Sequence, residues 1–282
     1  MKVVCTESSQ ILGARIADSL GAGLVDVKFT RFPDGELYLR TGPLDGETVI
    51  VGSVTSPEAF VQLVLLVDAC DSSWNRLVVP YMGYARQDKR FQPGEPLSAR
   101  AVAKVLSRGV AELFSVNIHD EGVLCHFEVP AVNLSLATDL GRYIGGMDLE
   151  HPLILAPDDG ASAFAREVAA AGGWDSDHLD KTRLSGEEVR MAEKTIDASG
   201  RDVVIVDDII STGGTISTAA GLLYQQGAKN VHAACVHGVL AGGAYARLRA
   251  AGVRDVACSD TCERGCSRYS AAQAIAAALR SC

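Results

Sequence analysis

The chain has 282 residues, 48% hydrophobic and 22% charged, with a net charge of −9. That length serves one large α/β domain or two of about 140 residues. The acid excess with scattered basic residues argues against nucleic acid, whose binders mass Lys and Arg on one face. Small anions stay within reach, because backbone amides and a few arginines hold them whatever the net charge.

Strand-like and helix-like segments alternate from the start. Val3–Cys5 reads as a strand, and Ile11, Leu12, Ile16 and Leu20 share one side of the helix after it. Val49–Val51 precedes a helix over Glu58–Cys70, Leu77–Val79 precedes one over Leu97–Leu106, and Leu113–Ile118 is a further strand. The alternation then restarts, pairing Leu153–Leu155 with Ala161–Ala171, Val203–Val206 with Thr215–Gln226, and Val231–Val236 with Gly243–Ala251. Val253–Cys258 leads through a loop to Ala271–Arg280. Short apolar strands alternating with amphipathic helices predict parallel sheets covered on both faces. The two runs meet near Tyr143–Pro152, around Gly145-Gly146. This places domains at 1–146 and 147–282 and leaves open whether the last helix packs on the first. Asp175–Glu188 is polar and without period, which predicts a hairpin or a functional loop carrying Lys181 and Arg183.

The amino-terminal Met1-Lys2-Val3-Val4-Cys5 runs into a strand rather than a leader, and Ala59–Val67, the longest apolar stretch, is broken by Gln62. A cytoplasmic protein without membrane association is expected. Eight cysteines are present, several of them inside apolar patterns where a thiol acts as a small hydrophobe. Cys258, Cys262 and Cys266 follow a C-x3-C-x3-C spacing that suits neither zinc nor iron–sulfur ligation, so a structural role is favoured over metal or redox chemistry.

The strongest motif is Val203-Val204-Ile205-Val206-Asp207-Asp208-Ile209-Ile210-Ser211-Thr212-Gly213-Gly214-Thr215. It predicts a buried strand ended by two carboxylates, then a small-residue loop and a helix start. Gly213 and Gly214 let backbone N–H groups approach an anion, and the helix N-terminus adds its own N–H groups and dipole. Ser211, Thr212 and Thr215 add hydroxyl donors. Asp207 and Asp208 repel phosphate but can accept hydrogen bonds from a vicinal diol. A diol reader followed by a phosphate cradle describes ribose 5-phosphate.

This segment resembles the phosphoribosyl-diphosphate loop of type I phosphoribosyltransferases and of phosphoribosyl-diphosphate synthetases. Three further segments resemble the synthetases alone. They are Arg31-Phe32-Pro33-Asp34-Gly35-Glu36, then Tyr81-Met82-Gly83-Tyr84-Ala85-Arg86-Gln87-Asp88-Lys89-Arg90, then Asn117-Ile118-His119-Asp120 with Ala156-Pro157-Asp158-Asp159-Gly160. The resemblance covers nearly the whole chain and looks archaeal in its short loops. It implies two tandem parallel-sheet domains of the type I phosphoribosyltransferase-like fold. It also implies transfer of the diphosphate of ATP to the 1-hydroxyl of ribose 5-phosphate, for nucleotide biosynthesis.

The same resemblance implies roles residue by residue. Asp207 and Asp208 take the ribose hydroxyls, and Ser211, Thr212, Gly213, Gly214 and Thr215 take the 5-phosphate. Arg86, Gln87 and Asp88 bind ATP, with Phe32, Asp34 and Glu36 from a neighbouring subunit on the adenine, so a homo-oligomer with shared ATP sites is expected. His119 and Asp158 hold Mg2+, and Lys181 and Arg183 are catalytic. Lys89 and Asn117 stand where many members carry Arg and Asp. The alternatives are a phosphoribosyltransferase and a non-catalytic regulatory homologue. No G-x-x-x-x-G-K-[ST] occurs, and Gly21-Ala22-Gly23 follows a helix rather than a strand, so P-loop and dinucleotide folds are set aside.

Overall fold

Short apolar runs of the chain build two parallel sheets, here seen in a computed structural model that describes residues 1–44, 46–183, 189–191 and 195–281. One unit comprises Met1–Ser135, Asp260–Glu263 and Ser270–Cys282. The other comprises Leu136–Ser259 and Arg264–Tyr269.

The first unit contains β1 (Lys2–Cys5), α1 (Gln10–Leu20), β2 (Gly23–Leu24), β3 (Val27–Arg31), β4 (Leu37–Thr41), β5 (Glu47–Val51), α2 (Pro57–Asp68), β6 (Trp74–Val79), α3 (Ser98–Leu106), β7 (Glu112–Val116) and β8 (Ala131–Leu134). Six strands run parallel in the order β2-β1-β5-β6-β7-β8, while β3 and β4 form a separate antiparallel hairpin. Helical crossovers are what a parallel pair requires. Val49, Ile50 and Val51, like Leu77, Val78 and Val79, are fully buried as unbroken runs, the mark of strands covered on both faces. α2 starts where Ser56 accepts the Ala59 N–H at 3.1 Å, with Pro57 in its first turn.

The second unit contains α4 (Ala137–Gly145), β9 (Leu153–Ala156), α5 (Ser162–Ala170), β10 (Asp175–His178), the antiparallel pair β11 (Lys181–Arg183) and β12 (Val189–Met191), and β13 (Asp202–Ile210). It continues through α6 (Gly214–Gln225), β14 (Asn230–Gly238), α7 (Ala244–Ala250), β15 (Val256–Ser259) and β16 (Ser267–Tyr269). Its parallel order is β10-β9-β13-β14-β15-β16. The period of two sorts side chains to opposite faces. Val203, Ile205, Ala233 and Cys235 meet Ile216, Leu223 and Leu248 on one side. Val204, Val206 and Ala234 meet Leu140, Ile144, Ala165 and Val168 on the other. Each large aliphatic so buried contributes about 1.5–3 kcal/mol.

α8 (Ala272–Ser281) belongs to the first unit, where it packs on α1 with Ile275, Ala276 and Leu279 buried. The Leu279 carbonyl accepts from Nη1 of the buried Arg76, whose guanidinium lies over the Trp74 ring and pairs with Glu47. The unit division at Ser135–Leu136 precedes Gly145-Gly146, and α4 packs on α5.

Two local expectations change. The polar stretch from Asp175 opens as an edge strand of the parallel sheet before the hairpin begins. β13 runs past its acid pair to Ile210, so Asp207 and Asp208 lie within the strand rather than ending it. The reason is pairing with β14, which extends as far as Ile210↔Gly238. Phe32–Glu36 forms the tip of the β3–β4 hairpin.

Candidate active site

In the second sheet the chain steps from β9 to the edge strand β10 and then back to β13 on the other side of β9. Open α/β sheets bind ligands outside the carboxyl ends of strands at such a reversal. Asp158 follows β9 there, and Asp207, Asp208 and Ser211 stand on or after the adjoining end of β13.

The ladder between β13 and β14 pairs Asp207 with Cys235 and resumes at Ile209, omitting Asp208. The Asp207 Oδ1 accepts the Asp208 backbone N–H at 2.9 Å. Burial pushes the Asp207 carboxyl well above its usual range, and the Asp208 and Asp158 carboxylates add to the shift. Three acids crowded at one strand edge favour whatever neutralises or hydrogen-bonds them, a cation or a pair of hydroxyls.

The turn that follows is open to water, since Thr212 and Gly214 are exposed and Ser211 and Thr215 half-buried. Gly213 has φ +73°, a conformation that L side chains avoid, and its carbonyl accepts the Ser217 N–H at 2.9 Å to start α6. The early N–H groups of such a helix lack partners within it and suit an anion. Beside the turn, Leu240 donates its N–H to the Ile210 carbonyl at 2.9 Å.

Lys181 and Arg183 lie on β11, in register with Met191 and Val189. Their side chains and residues 184–188 lie outside the described residues. Just before the hairpin, Nε2 of His178 lies 3.4 Å from Asp180 and 3.9 Å from Asp159.

In the first unit the expected nucleotide residues follow β6 and β7. Gly83 allows the segment after β6 to lie on the one after β5, since a Cβ there would stand 2.1 Å from the Val54 carbonyl oxygen. Tyr84 then takes φ +68°, and Arg86 is exposed with Gln87 and Asp88 half-buried. Gln87 is committed within the unit, for its side-chain oxygen accepts from Ser98 and its carbonyl accepts the Ala99 N–H at 3.2 Å, at the start of α3. After β7, Asn117 takes φ +38° and His119 is exposed. Tyr84, Asn117 and Leu240 all hold left-handed backbone just past a strand's carboxyl end. Such strain, about 1–3 kcal/mol each, gathers at functional edges.

The hairpin tip is closed by Phe32 N–H to the Glu36 carbonyl at 2.9 Å, and Glu36 N–H reaches Asp34 Oδ1 at 3.2 Å. Phe32, Asp34 and Glu36 are all exposed, and the Phe32 ring meets Tyr38 edge-on at 5.6 Å. The reversal point of the first sheet, between β1 and β5, is filled by the chain itself. Ser53 Oγ donates to the Thr261 carbonyl at 2.6 Å, Leu12 N–H to Glu263 at 2.9 Å, and Arg15 pairs with Asp260 at 2.6 Å.

This plug, the β3–β4 pair and Arg247, which donates to the Thr212 carbonyl, lie outside the sequence expectations. Alternating Val27-Lys28-Phe29-Thr30-Arg31 and Leu37-Tyr38-Leu39-Arg40-Thr41 around Pro-Asp-Gly was the available signal for the hairpin. Of the late cysteines, Cys258 and Cys266 touch at 3.7 Å in the second unit, and Cys262 is buried in the first. The hydrogen bond between the two thiols is the main cause that lowers the pKa of Cys266, to about 7. Among the described residues no group of three or more His, Cys, Asp or Glu side chains could hold a metal, and no helix is long and apolar enough to cross a membrane.

Residues 1–109 match the family model for the N-terminal domain of ribose phosphate pyrophosphokinase, and 136–271 match that for the phosphoribosyl transferase domain. The chain is 48% identical to a ribose-phosphate pyrophosphokinase of Methanosarcina acetivorans, over 99% of both chains. It is 46% identical to that of Methanosarcina mazei, over 99% of this chain and 95% of the relative. The phosphoribosylpyrophosphate synthetase of Mycobacterium smegmatis superposes with TM-score 0.84 at 28% identity, over 99% of this chain and 97% of that one.

Proposed function

The chain belongs to the ribose-phosphate pyrophosphokinase family, and from that premise we propose that it transfers the diphosphate of ATP to the 1-hydroxyl of ribose 5-phosphate. The observation that carries the reading is the edge of β13. Two adjacent carboxylates stand there, directly ahead of an open glycine turn on a helix N-terminus, at the reversal point of the sheet. Asp207 and Asp208 take the 2- and 3-hydroxyls, and Ser211, Thr212, Gly213, Gly214 and Thr215 take the 5-phosphate.

The 1-oxygen of ribose forms a bond to the β-phosphorus of ATP, the bond from that phosphorus to the α-bridging oxygen breaks, and AMP leaves. The 1-hydroxyl proton passes to solvent. Phosphoryl transfer of this kind needs alignment and charge neutralisation more than covalent help. We assign ATP to the first unit through Arg86, Gln87 and Asp88. Arg86, exposed and carrying a charged fork, is the stronger donor to phosphate. The exposed tip Phe32, Asp34 and Glu36 suits the adenine of a partner subunit's site, so the assembly is a homo-oligomer. Lys181 and Arg183 meet the charge that grows in the transition state.

Mg2+ would be favoured beside the acid edge as a counter-charge, since burial first, and then Asp208 and Asp158, raise the Asp207 carboxyl. His119 and Asp158 would hold it with few other protein ligands, as nucleotide-bound magnesium needs. It would supply charge neutralisation on phosphate oxygens. We infer a cytoplasmic location, where its substrates are.

Incubation with ATP, Mg2+ and ribose 5-phosphate tests the reading. AMP formed in step with phosphoribosyl diphosphate supports it. Consumption of phosphoribosyl diphosphate with a base, and no AMP, points to a transferase. Neither product points to a regulatory homologue.

A further inference from the structure

α7 leans on the phosphate turn at two successive residues. Arg247 donates from Nη1 to the Thr212 carbonyl and from Nη2 to the Gly242 carbonyl, the latter at 3.1 Å. Leu248, fully buried, has side-chain carbons 3.1–3.4 Å from where a Gly213 Cβ would stand. The Leu240 N–H holds the Ile210 carbonyl at the turn's entry. The arm 240–248 therefore grips the turn at both ends.

The peptide plane turns this grip into an orientation. Thr212 C=O and Gly213 N–H belong to one trans peptide and point in opposite directions. A guanidinium that fixes the carbonyl on the α7 side fixes the N–H on the other side. No backbone carbonyl accepts that N–H among the described residues. Arg247 is exposed, and no carboxylate pairs with it among the described residues, so its charge beside the turn is uncompensated. An amide aimed outward with a cation behind it is what a phosphate monoester requires.

We propose that Arg247 is a positioning residue for the 5-phosphate cradle, setting the Gly213 N–H through the Thr212 carbonyl. The inference rests on the ribose 5-phosphate reading above. A lysine keeps the charge but cannot reproduce the planar fork that spans two carbonyls.

Arg247→Met and Arg247→Lys, with the wild type, separate the cases. Arg247→Met is expected to raise KM for ribose 5-phosphate about 10- to 100-fold, the scale of a lost charge-assisted hydrogen bond, with KM for ATP and the melting temperature unchanged. Arg247→Lys is expected to recover only a minor part of that loss. Wild-type KM in both variants, full recovery with lysine, or parallel rises in both KM values would each overturn the proposal. Calorimetry with ribose 5-phosphate distinguishes the two levels. A wild type that does not bind the sugar phosphate overturns the functional reading and this inference together. Equal binding by wild type and Arg247→Met overturns this inference alone.

Discussion

A Cβ built on Gly213 would stand 3.1 Å from Cγ of Leu248, and the Gly213 backbone sits at φ +73°. Gly213→Ala therefore meets both a close neighbour and a disfavoured conformation. It should lose about 1–3 kcal/mol of stability in urea unfolding. KM for ribose 5-phosphate should rise about tenfold or more while KM for ATP stays put. An alanine variant of wild-type stability would mean that the turn relaxes freely and is not clamped by α7.

Asp207 and its neighbours trade stability for binding. Burial first, then Asp208 and Asp158, hold the Asp207 carboxyl above its ordinary value of 3.8. For a raised carboxyl, stability is lost as pH rises from the unfolded value through the folded one. Asp207→Asn removes that loss, so its melting temperature at pH 7 should equal or exceed that of the wild type. Its kcat/KM for ribose 5-phosphate should drop about 100-fold. If melting temperature and activity fell together, the carboxylate would be structural.

Lys181→Ala is expected to cut turnover by about 100- to 1000-fold, the usual effect of removing a transition-state donor, while ATP still binds. Steady-state turnover beside ATP calorimetry checks this. Unchanged turnover would remove Lys181 from the chemistry.

At the opposite end of the second sheet, Asp202 accepts the Glu150 N–H at 2.7 Å and the Asn230 amide at 2.6 Å. Burial alone would raise its carboxyl, but these bonds, with His232 and Lys229 nearby, leave it below 3.8. A lowered carboxyl contributes stability above the unfolded value that is lost as pH falls through the folded one. Asp202→Ala should cost about 1–3 kcal/mol at pH 7 and flatten the loss of stability below pH 3.8. Melting curves between pH 2 and pH 7 measure the difference. Parallel curves for the two proteins would exclude the carboxylate as the source.

Most strands and helices were legible because a parallel sheet writes itself as apolar runs. Val203–Val206 could face nothing but two cores, and the acid pair and glycines after it named a ligand class without help from packing. Edge elements were harder to read. β2 is two residues long, and β10, Asp175–His178, carries almost no apolar signal. Asp207 and Asp208 looked like a strand's end because charge predicts solvent, whereas pairing with β14 carries the strand past them. Arg247 and the Asp260–Glu263 plug were invisible for another reason. Each makes a bond to a residue 35 or more positions away, a relation that no local pattern records.

The excursion of Asp260–Glu263 and the return of α8 bear on biosynthesis. Ser53, Leu12 and Arg15 find their partners only after some two hundred further residues have been added. On a ribosome, the portion translated first is the one completed last. Until Ala272–Ser281 emerges, the side of α1 that will receive it stays uncovered, a surface for chaperones to guard while the later-made sheet closes ahead of it.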